Sequence, residues 1–332
     1  MTTIIAVHEV KNGEHRAQAW HPGAGNRQRV VALLVALMMS VSLFLPAMAR
    51  ADTGWQVDVG AASKDMGVQV AYYFPGEITI NAGDTVTWNF RAGEPHSVHF
   101  LSTGSGGEVD SGLQTKGAPS FSLTFNQPGN YNYFCDLHTF MKGVVHVQAA
   151  GSAYPHDQKY YDHQSQVQQA QLLAEGLALR ANGLAAAAQA NTKPAITAGI
   201  GAAHETGSIF VLRFLKTTLN VKVGDTVTWT NLDPEAPHTI TFNQDYPDPF
   251  AALFPFGLDV LGPPGHATMS ATTQPVNSGF LWAAPPPPPA LPPVAYRGTT
   301  FQVKFTQPGT YNYKCDLHDV LGMTGTIVVM PK

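Results

Sequence analysis

A fourteen-residue stretch occurs twice in this chain, at Phe125 to His138 and Phe305 to His318, each time reading F-x-Q-P-G-x-Y-N-Y-x-C-D-L-H. Each copy holds one of the chain's two cysteines, Cys135 and Cys315. The repeat extends upstream, where Ala82 to Trp88 reads A-G-D-T-V-T-W and Val223 to Trp229 reads V-G-D-T-V-T-W. Gly-Asp supplies a turn and T-V-T-W the alternation of a strand with one buried face, which assigns Trp88 and Trp229 to the core. The runs Val68 to Ile80, Phe121 to Phe125, Val144 to Val147, Ser208 to Val221, Phe301 to Phe305 and Thr324 to Val329 also read as strands. Short strands separated by Gly/Pro turns, about 100 residues per copy, indicate an all-β chain of two antiparallel sandwiches.

The repeated stretch also carries chemistry. A methionine follows each copy, Met141 and Met323, and a histidine lies upstream of each, His96 and His238. Two histidines, a cysteine and a methionine are the donors of a type 1 (blue) copper site, and they occur here as two sets: His96, Cys135, His138 and Met141, then His238, Cys315, His318 and Met323. Thiolate and imidazole bind both copper oxidation states, while a thioether fills a weak axial position that tunes the potential. Two copper ions are therefore expected. The alternatives are buried structural thiols or a disulfide between the cysteines. A disulfide would have to bring both motif loops together, and it leaves four histidines and two methionines unexplained.

Composition sets the surroundings of these sites. Val30 to Leu45 is an apolar run behind Arg27 and Arg29, followed by Pro46 and small residues, so residues 1–51 read as a secretory signal; the competing reading is an uncleaved membrane anchor. Without residues 1–51, which hold five of the 19 basic and two of the 23 acidic residues, the formal charge becomes −7. That balance argues against nucleic acid as a partner. The expected organisation is a first sandwich over 52–149, a linker over 150–203 and a second sandwich over 204–332. Asp157 to Ala190 is rich in Gln, Ala and Leu, with Leu173, Leu177 and Leu184 near helical spacing, and reads as one or two helices interrupted near Gly176 and Gly183. His156 and His163 within it lack a third ligand and read as solvent-facing. Residues 243–298 read as an insertion carrying the run Pro285 to Pro289, then Pro292 and Pro293, which cannot join a sheet.

With these motifs in place, the chain resembles the plastocyanin and amicyanin group of cupredoxins over roughly residues 53–149 and 205–331. Pro95-His96-Ser97-Val98-His99-Phe100 and Cys135-x-x-His138-x-x-Met141 are similar to the amicyanin pattern, whereas Pro237-His238-Thr239 and Cys315-x-x-His318-x-x-x-x-Met323 match the longer plastocyanin spacing. The resemblance implies two Greek-key cupredoxin sandwiches joined by a partly helical linker. It also implies that the loop histidines His138 and His318 reach the surface within apolar patches, for which Phe140, Val320 and Leu321 are the candidates. Ser97 and Thr239 stand where the family often has asparagine; their backbone N–H groups are still placed to donate to the thiolates, but side-chain bracing of the loops is expected to differ. His99 sits three residues after His96 in a short strand, and alternation turns it to the opposite face, so it is read as a non-ligand.

Copper oxidases and nitrite reductases are also assembled from cupredoxin domains, but their catalytic coppers need histidine beside the cysteine and H-x-H pairs. Phe134 and Lys314 precede the cysteines here, and the sequence contains no H-x-H. Four protein donors leave no open position for substrate. The expected role is an exported, non-enzymatic electron carrier between redox donor and acceptor proteins, periplasmic or extracellular, and at a membrane only if the signal is retained. Copper storage or delivery is the alternative, with a copper oxidase or nitrite reductase behind it.

Overall fold

The computed structural model describes residues 54–104, 106–189, 194–245, 265–282 and 298–332. The expected signal segment and the proline run lie outside these residues. The first sandwich comprises β1 (Trp55–Ala62), β2 (Val68–Phe74), β3 (Glu77–Asn81), β4 (Thr85–Phe90), β5 (His99–Phe100), β6 (Val109–Asp110), β7 (Phe121–Thr124), β8 (Gly129–Phe134) and β9 (Lys142–Gln148). The second comprises β10 (Ala195–His204), β11 (Gly207–Leu215), β12 (Thr218–Lys222), β13 (Thr226–Leu232), β14 (Thr241–Phe242), β15 (His266–Met269), β16 (Val276–Asn277), β17 (Thr300–Phe305), β18 (Gly309–Lys314) and β19 (Thr324–Met330). Between them, among the described residues, runs one α-helix, α1 (Gln158–Gln189).

Each sandwich has its own back sheet, ordered β3-β9-β8-β5-β6 in the first and β12-β19-β18-β14-β16 in the second. Trp88 and Trp229 are fully buried between the layers, as the alternation in T-V-T-W predicts. The front sheets are continuous with each other. β2 pairs antiparallel with β11 in the register Ala71↔Ser208, Val70↔Ile209, Gln69↔Phe210 and Val68↔Val211, producing a nine-stranded sheet β15-β17-β13-β10-β11-β2-β1-β4-β7. Two strands that would each be an exposed edge satisfy one another's backbone groups.

α1 covers the other face of this junction. Its Leu172 and Gly176 are buried, and Leu172 belongs to a cluster with Val68, Val70, Tyr72, Phe74, Ile209, Val211 and Leu215. β2 is consequently buried along its whole length, because the sandwich core lies on one side and the helix on the other. Asp157 starts the helix by accepting from the Tyr160 N–H at 2.9 Å, an N-terminal cap. Arg180 pairs with Asp65 at 2.6 Å and tethers the far end.

Several expectations are corrected here. The helix is continuous through Gly176 and Gly183, because the glycines serve close packing rather than interruption: a Cβ on Gly176 would lie 2.3 Å from Val68 Cγ1 and 2.9 Å from Ile209 Cγ2. Its buried stripe is Tyr161, Ser165, Leu172 and Gly176, whereas Leu177 and Leu184 are exposed. All of β10 except His204 lies inside the stretch 150–203 that composition assigns to the linker; its Ala/Gly-rich sequence has no strand signal of its own and is held by β11 and β13. Part of the stretch 243–298 is integral to the second sandwich, since β15 pairs with β17 and β16 with β14. His156 and His163 are exposed, as expected.

Gly176→Leu is expected to lower stability by about 1–3 kcal/mol, the usual cost of forcing extra carbon into a packed contact, despite leucine's better helix propensity. A melting temperature unchanged from the parent would show that the helix can lift from the sheet without cost.

Candidate metal centres

In each sandwich the loop after the T-V-T-W strand delivers one histidine, and the loop closing the last hairpin delivers the remaining donors. His96 is held by paired backbone hydrogen bonds with Gln114, both 2.8 Å, and His238 by a similar pair with Leu281, 3.1 and 2.8 Å. In the first hairpin loop, the Cys135 N–H donates to Met141 O at 3.1 Å and the Met141 N–H to His138 O at 3.0 Å. In the second, the Cys315 N–H donates to Met323 O and the Met323 N–H to His318 O, both at 3.0 Å. The additional residues of this loop are taken up by a 3-10 turn, Asp319–Leu321, which Gly322 closes in the left-handed conformation at φ 93°.

These loops bring the predicted donors together. His96 Nδ1 lies 3.0 Å from His138 Nδ1, which is 3.5 Å from Cys135 Sγ. His238 Nδ1 lies 3.1 Å from His318 Nδ1, which is 3.4 Å from Cys315 Sγ; Cys315 Sγ is 3.8 Å from His238 Nδ1. Within each set the three donor atoms lie within 4.8 Å of one another, and Met141 and Met323 are fully buried beside them in the loops. A four-coordinate ion with metal–nitrogen and metal–sulfur bonds of about 2.0 and 2.3 Å separates its ligand atoms by roughly 3.3–3.7 Å, so both sets fit one ion each. Both cysteines are free and buried, which excludes the disulfide alternative.

The electrostatics favour a cation. Burial, reinforced by the neighbouring loop histidine, holds His96 and His238 far below the ordinary imidazole range, so they present lone pairs. At His138 burial also opposes charge, but Cys135, Glu235 and Glu94 outweigh it and raise the pKa to about 9. At His318 burial is outweighed by Glu94 and Cys315, and the pKa rises to about 10. Positive charge is thus stabilised where a metal ion would sit.

Both sulfurs receive a backbone hydrogen bond, from the Ser97 N–H at 3.4 Å and the Thr239 N–H at 3.3 Å. The side chains at these positions brace the loops through the aspartate of the C-D-L-H motif. Ser97 Oγ donates to Asp136 Oδ2 at 2.8 Å and accepts from the Asp136 N–H at 2.9 Å; Thr239 Oγ1 accepts from the Asp316 N–H at 2.8 Å. His99 faces away from the donors, its Nδ1 2.7 Å from Asp136 Oδ1 and its Nε2 2.8 Å from Glu108 Oε1.

Two glycines outside the motifs also shape the sites. Gly60 and Gly199 have φ of 71° and 84° and sit at bulges of β1 and β10, against the first histidine of each set. A Cβ on Gly60 would lie 2.7 Å from His96 Nε2, and one on Gly199 only 2.1 Å from His238 Nε2. Gly60 is signalled by a lone glycine inside the alternating run Trp55 to Ala62, whereas Gly199 lies in an Ala/Gly-rich stretch that carries no strand signal of its own.

The expectation of surface-exposed loop histidines is not met. His138 is 4% and His318 2% exposed. The His138 ring packs 5.1 Å from the ring of Phe210 in the other sandwich, and His318 Nε2 lies 3.6 Å from Glu94 Oε1, again across the junction. Of the residues expected to form apolar patches, only Val320 is strongly exposed, at 86%; Phe140 is half-buried and Leu321 packs against the core.

Comparison with known proteins agrees with this picture. The family model for copper binding proteins of the plastocyanin/azurin family matches residues 56–148 and 290–330. The chain is 39% identical over 89 residues to amicyanin-alpha of Methylorubrum extorquens, covering 26% of this chain and 74% of that protein. It is 40% identical over 82 residues to plastocyanin of Scenedesmus fuscus, covering 22% of this chain and 84% of that protein. To amicyanin of Paracoccus denitrificans it is 41% identical over 76 residues, spanning 58% of that protein's length and 23% of its own.

Proposed function

Because the chain belongs to the plastocyanin and azurin family of copper-binding proteins, we propose that it holds two type 1 copper ions and carries single electrons between redox proteins outside the cytoplasm. The observation that carries this reading is the pair of buried His-Cys-His sets, each with a methionine fixed by backbone hydrogen bonds beside its cysteine. His96, Cys135, His138 and Met141 would hold one ion, and His238, Cys315, His318 and Met323 the other. Copper supplies one-electron exchange between Cu(II) and Cu(I). The protein's part is to hold the donors in one arrangement through both states: the Ser97 and Thr239 N–H groups stabilise sulfur charge, and the Asp136 and Asp316 braces resist movement of the loops. Four protein donors at each site favour a carrier over an enzyme, and burial of the donors favours retention of the ion over delivery. The apolar run behind Arg27 and Arg29 supports export.

Anaerobic titration of the copper-loaded protein is expected to take up two electrons per chain in two waves, because the loops differ. Two residues separate His138 from Met141, whereas the 3-10 turn separates His318 from Met323, and axial geometry is a main determinant of potential. A single wave in which both sites titrate together would show that loop length does not differentiate them. The same preparation is expected to consume neither oxygen nor nitrite catalytically; turnover abolished by chelation would overturn the carrier reading.

A further inference from the structure

The junction between the sandwiches buries two carboxylates, Glu94 at 4% and Glu235 at 6% exposure. An isolated buried carboxylate costs several kcal/mol, so each needs a partner. Each finds it in the other sandwich. Glu94 precedes His96 by two residues, yet its Oε1 faces His318 Nε2 at 3.6 Å, an ion-pair distance, and has no hydrogen-bond donor among the described residues. Glu235 precedes His238 by three residues, yet its Oε1 accepts from Thr139 Oγ1 at 2.9 Å and from the Phe140 N–H at 3.3 Å, the two residues that follow His138. Its second oxygen accepts from Ser208.

We propose that the two centres are completed across the junction: Glu94 of the first sandwich is a positioning residue for His318, and Glu235 of the second is a positioning residue for the loop that carries His138. The inference rests on the reading of these histidines as copper ligands. In both sets the Nδ1 atoms converge on one another, which turns Nε2 of the loop histidine outward to the junction. A carboxylate beside the outward nitrogen of a ligating histidine fixes its tautomer and ring orientation and raises its basicity. The surrounding contacts hold this arrangement. Gln69 of β2 accepts from the N–H groups of Gly93 and Glu94 at 3.0 and 3.4 Å, and Arg213 of β11 ties Leu321 O at 2.8 Å to Asp65 O at 2.5 Å. Gly93 gives Leu321 room, since a Cβ there would lie 2.8 Å from Leu321 Cδ2.

The test uses the full chain with one centre silenced. In Cys135→Ser, where only the second centre remains, Glu94→Gln is expected to speed copper release to a chelator by about 10–100-fold, the range for such supporting groups. It should also raise the midpoint potential, because losing a negative charge beside the ligand disfavours Cu(II). In Cys315→Ser, Glu235→Gln is expected to act in the same directions at the first centre. A purely packing role would be preserved by the isosteric glutamine and would move neither quantity. In the metal-free chain, Glu94→Gln should shift the His318 imidazole resonances in NMR spectra while the thermal melt stays within a few degrees of the parent. If both single-centre parents bind copper with the expected colour and Glu94→Gln leaves the second centre's release rate, potential and His318 resonances unchanged, this inference falls while the copper reading stands. If the parents take up no copper, both fall.

Discussion

Replacing Cys135 by serine, or Cys315 by serine, is expected to remove about half of the visible absorption and one of the two copper ions of the loaded protein, since sulfur-to-copper charge transfer at each centre depends on its single thiolate. The double variant should be colourless. The expectation follows from the geometry as well as the motif. Each sulfur lies within hydrogen-bonding distance of a histidine Nδ1 and of one backbone N–H, and the chain has no cysteine beyond these two to replace either thiolate. Serine is nearly isosteric and neutral, so the fold should persist while the ligand is lost. Absorption spectra and metal analysis on the three variants provide the check, and colour that survives the double substitution would show the sites to be wrongly assigned.

Gly199→Ala is expected to do comparable damage at the second centre from a residue that ligates nothing. Adopting the left-handed backbone costs a non-glycine residue about 1–2 kcal/mol. The new methyl would stand 2.1 Å from His238 Nε2 and 2.6 Å from its Cδ2, so the ring must move, and His238 is fully buried with nowhere to turn. Its displacement from His318 and Cys315 should weaken copper binding there by at least about tenfold, equivalent to about 1.4 kcal/mol. Gly60→Ala should act in the same direction on His96 but less strongly, since the closest His96 atom is 2.7 Å away. Competition titrations in the Cys135→Ser background isolate the effect. Equal affinity with and without Gly199→Ala would mean that the bulge can relax around the methyl.

For the proposed carrier role, the junction also bears on where a redox partner would meet this chain. In the resemblance the loop histidine's edge is at the surface; here both edges are covered, by Phe210 at His138 and by Glu94 at His318. Neither imidazole edge is open to a docking partner in this arrangement.

What the sequence determined by itself is what depends on short-range chemistry. The candidate donors Cys135 and His138, and Cys315 and His318, each lie within one tight loop that also carries Met141 or Met323, so spacing alone brought them together. The alternation in T-V-T-W placed Trp88 and Trp229 in the core, and the backbone donors at Ser97 and Thr239 fell where the pattern put them. Tertiary structure decided the rest. β10 is a strand because β11 and β13 flank it, although Ala-Ile-Thr-Ala-Gly-Ile-Gly has weak intrinsic preference. The buried stripe of α1 runs through Tyr161, Ser165, Leu172 and Gly176 rather than along the Leu173, Leu177 and Leu184 spacing, because Val68 and Ile209 close against the helix where Gly176 leaves room. No motif marks Glu94 or Glu235, which become buried partners of the opposite sandwich only once β2 meets β11, strands far apart in the chain whose pairing no local pattern encodes. The individual sites are thus legible in the sequence because each is local, and their mutual enclosure is not, because it arises from two edges finding each other.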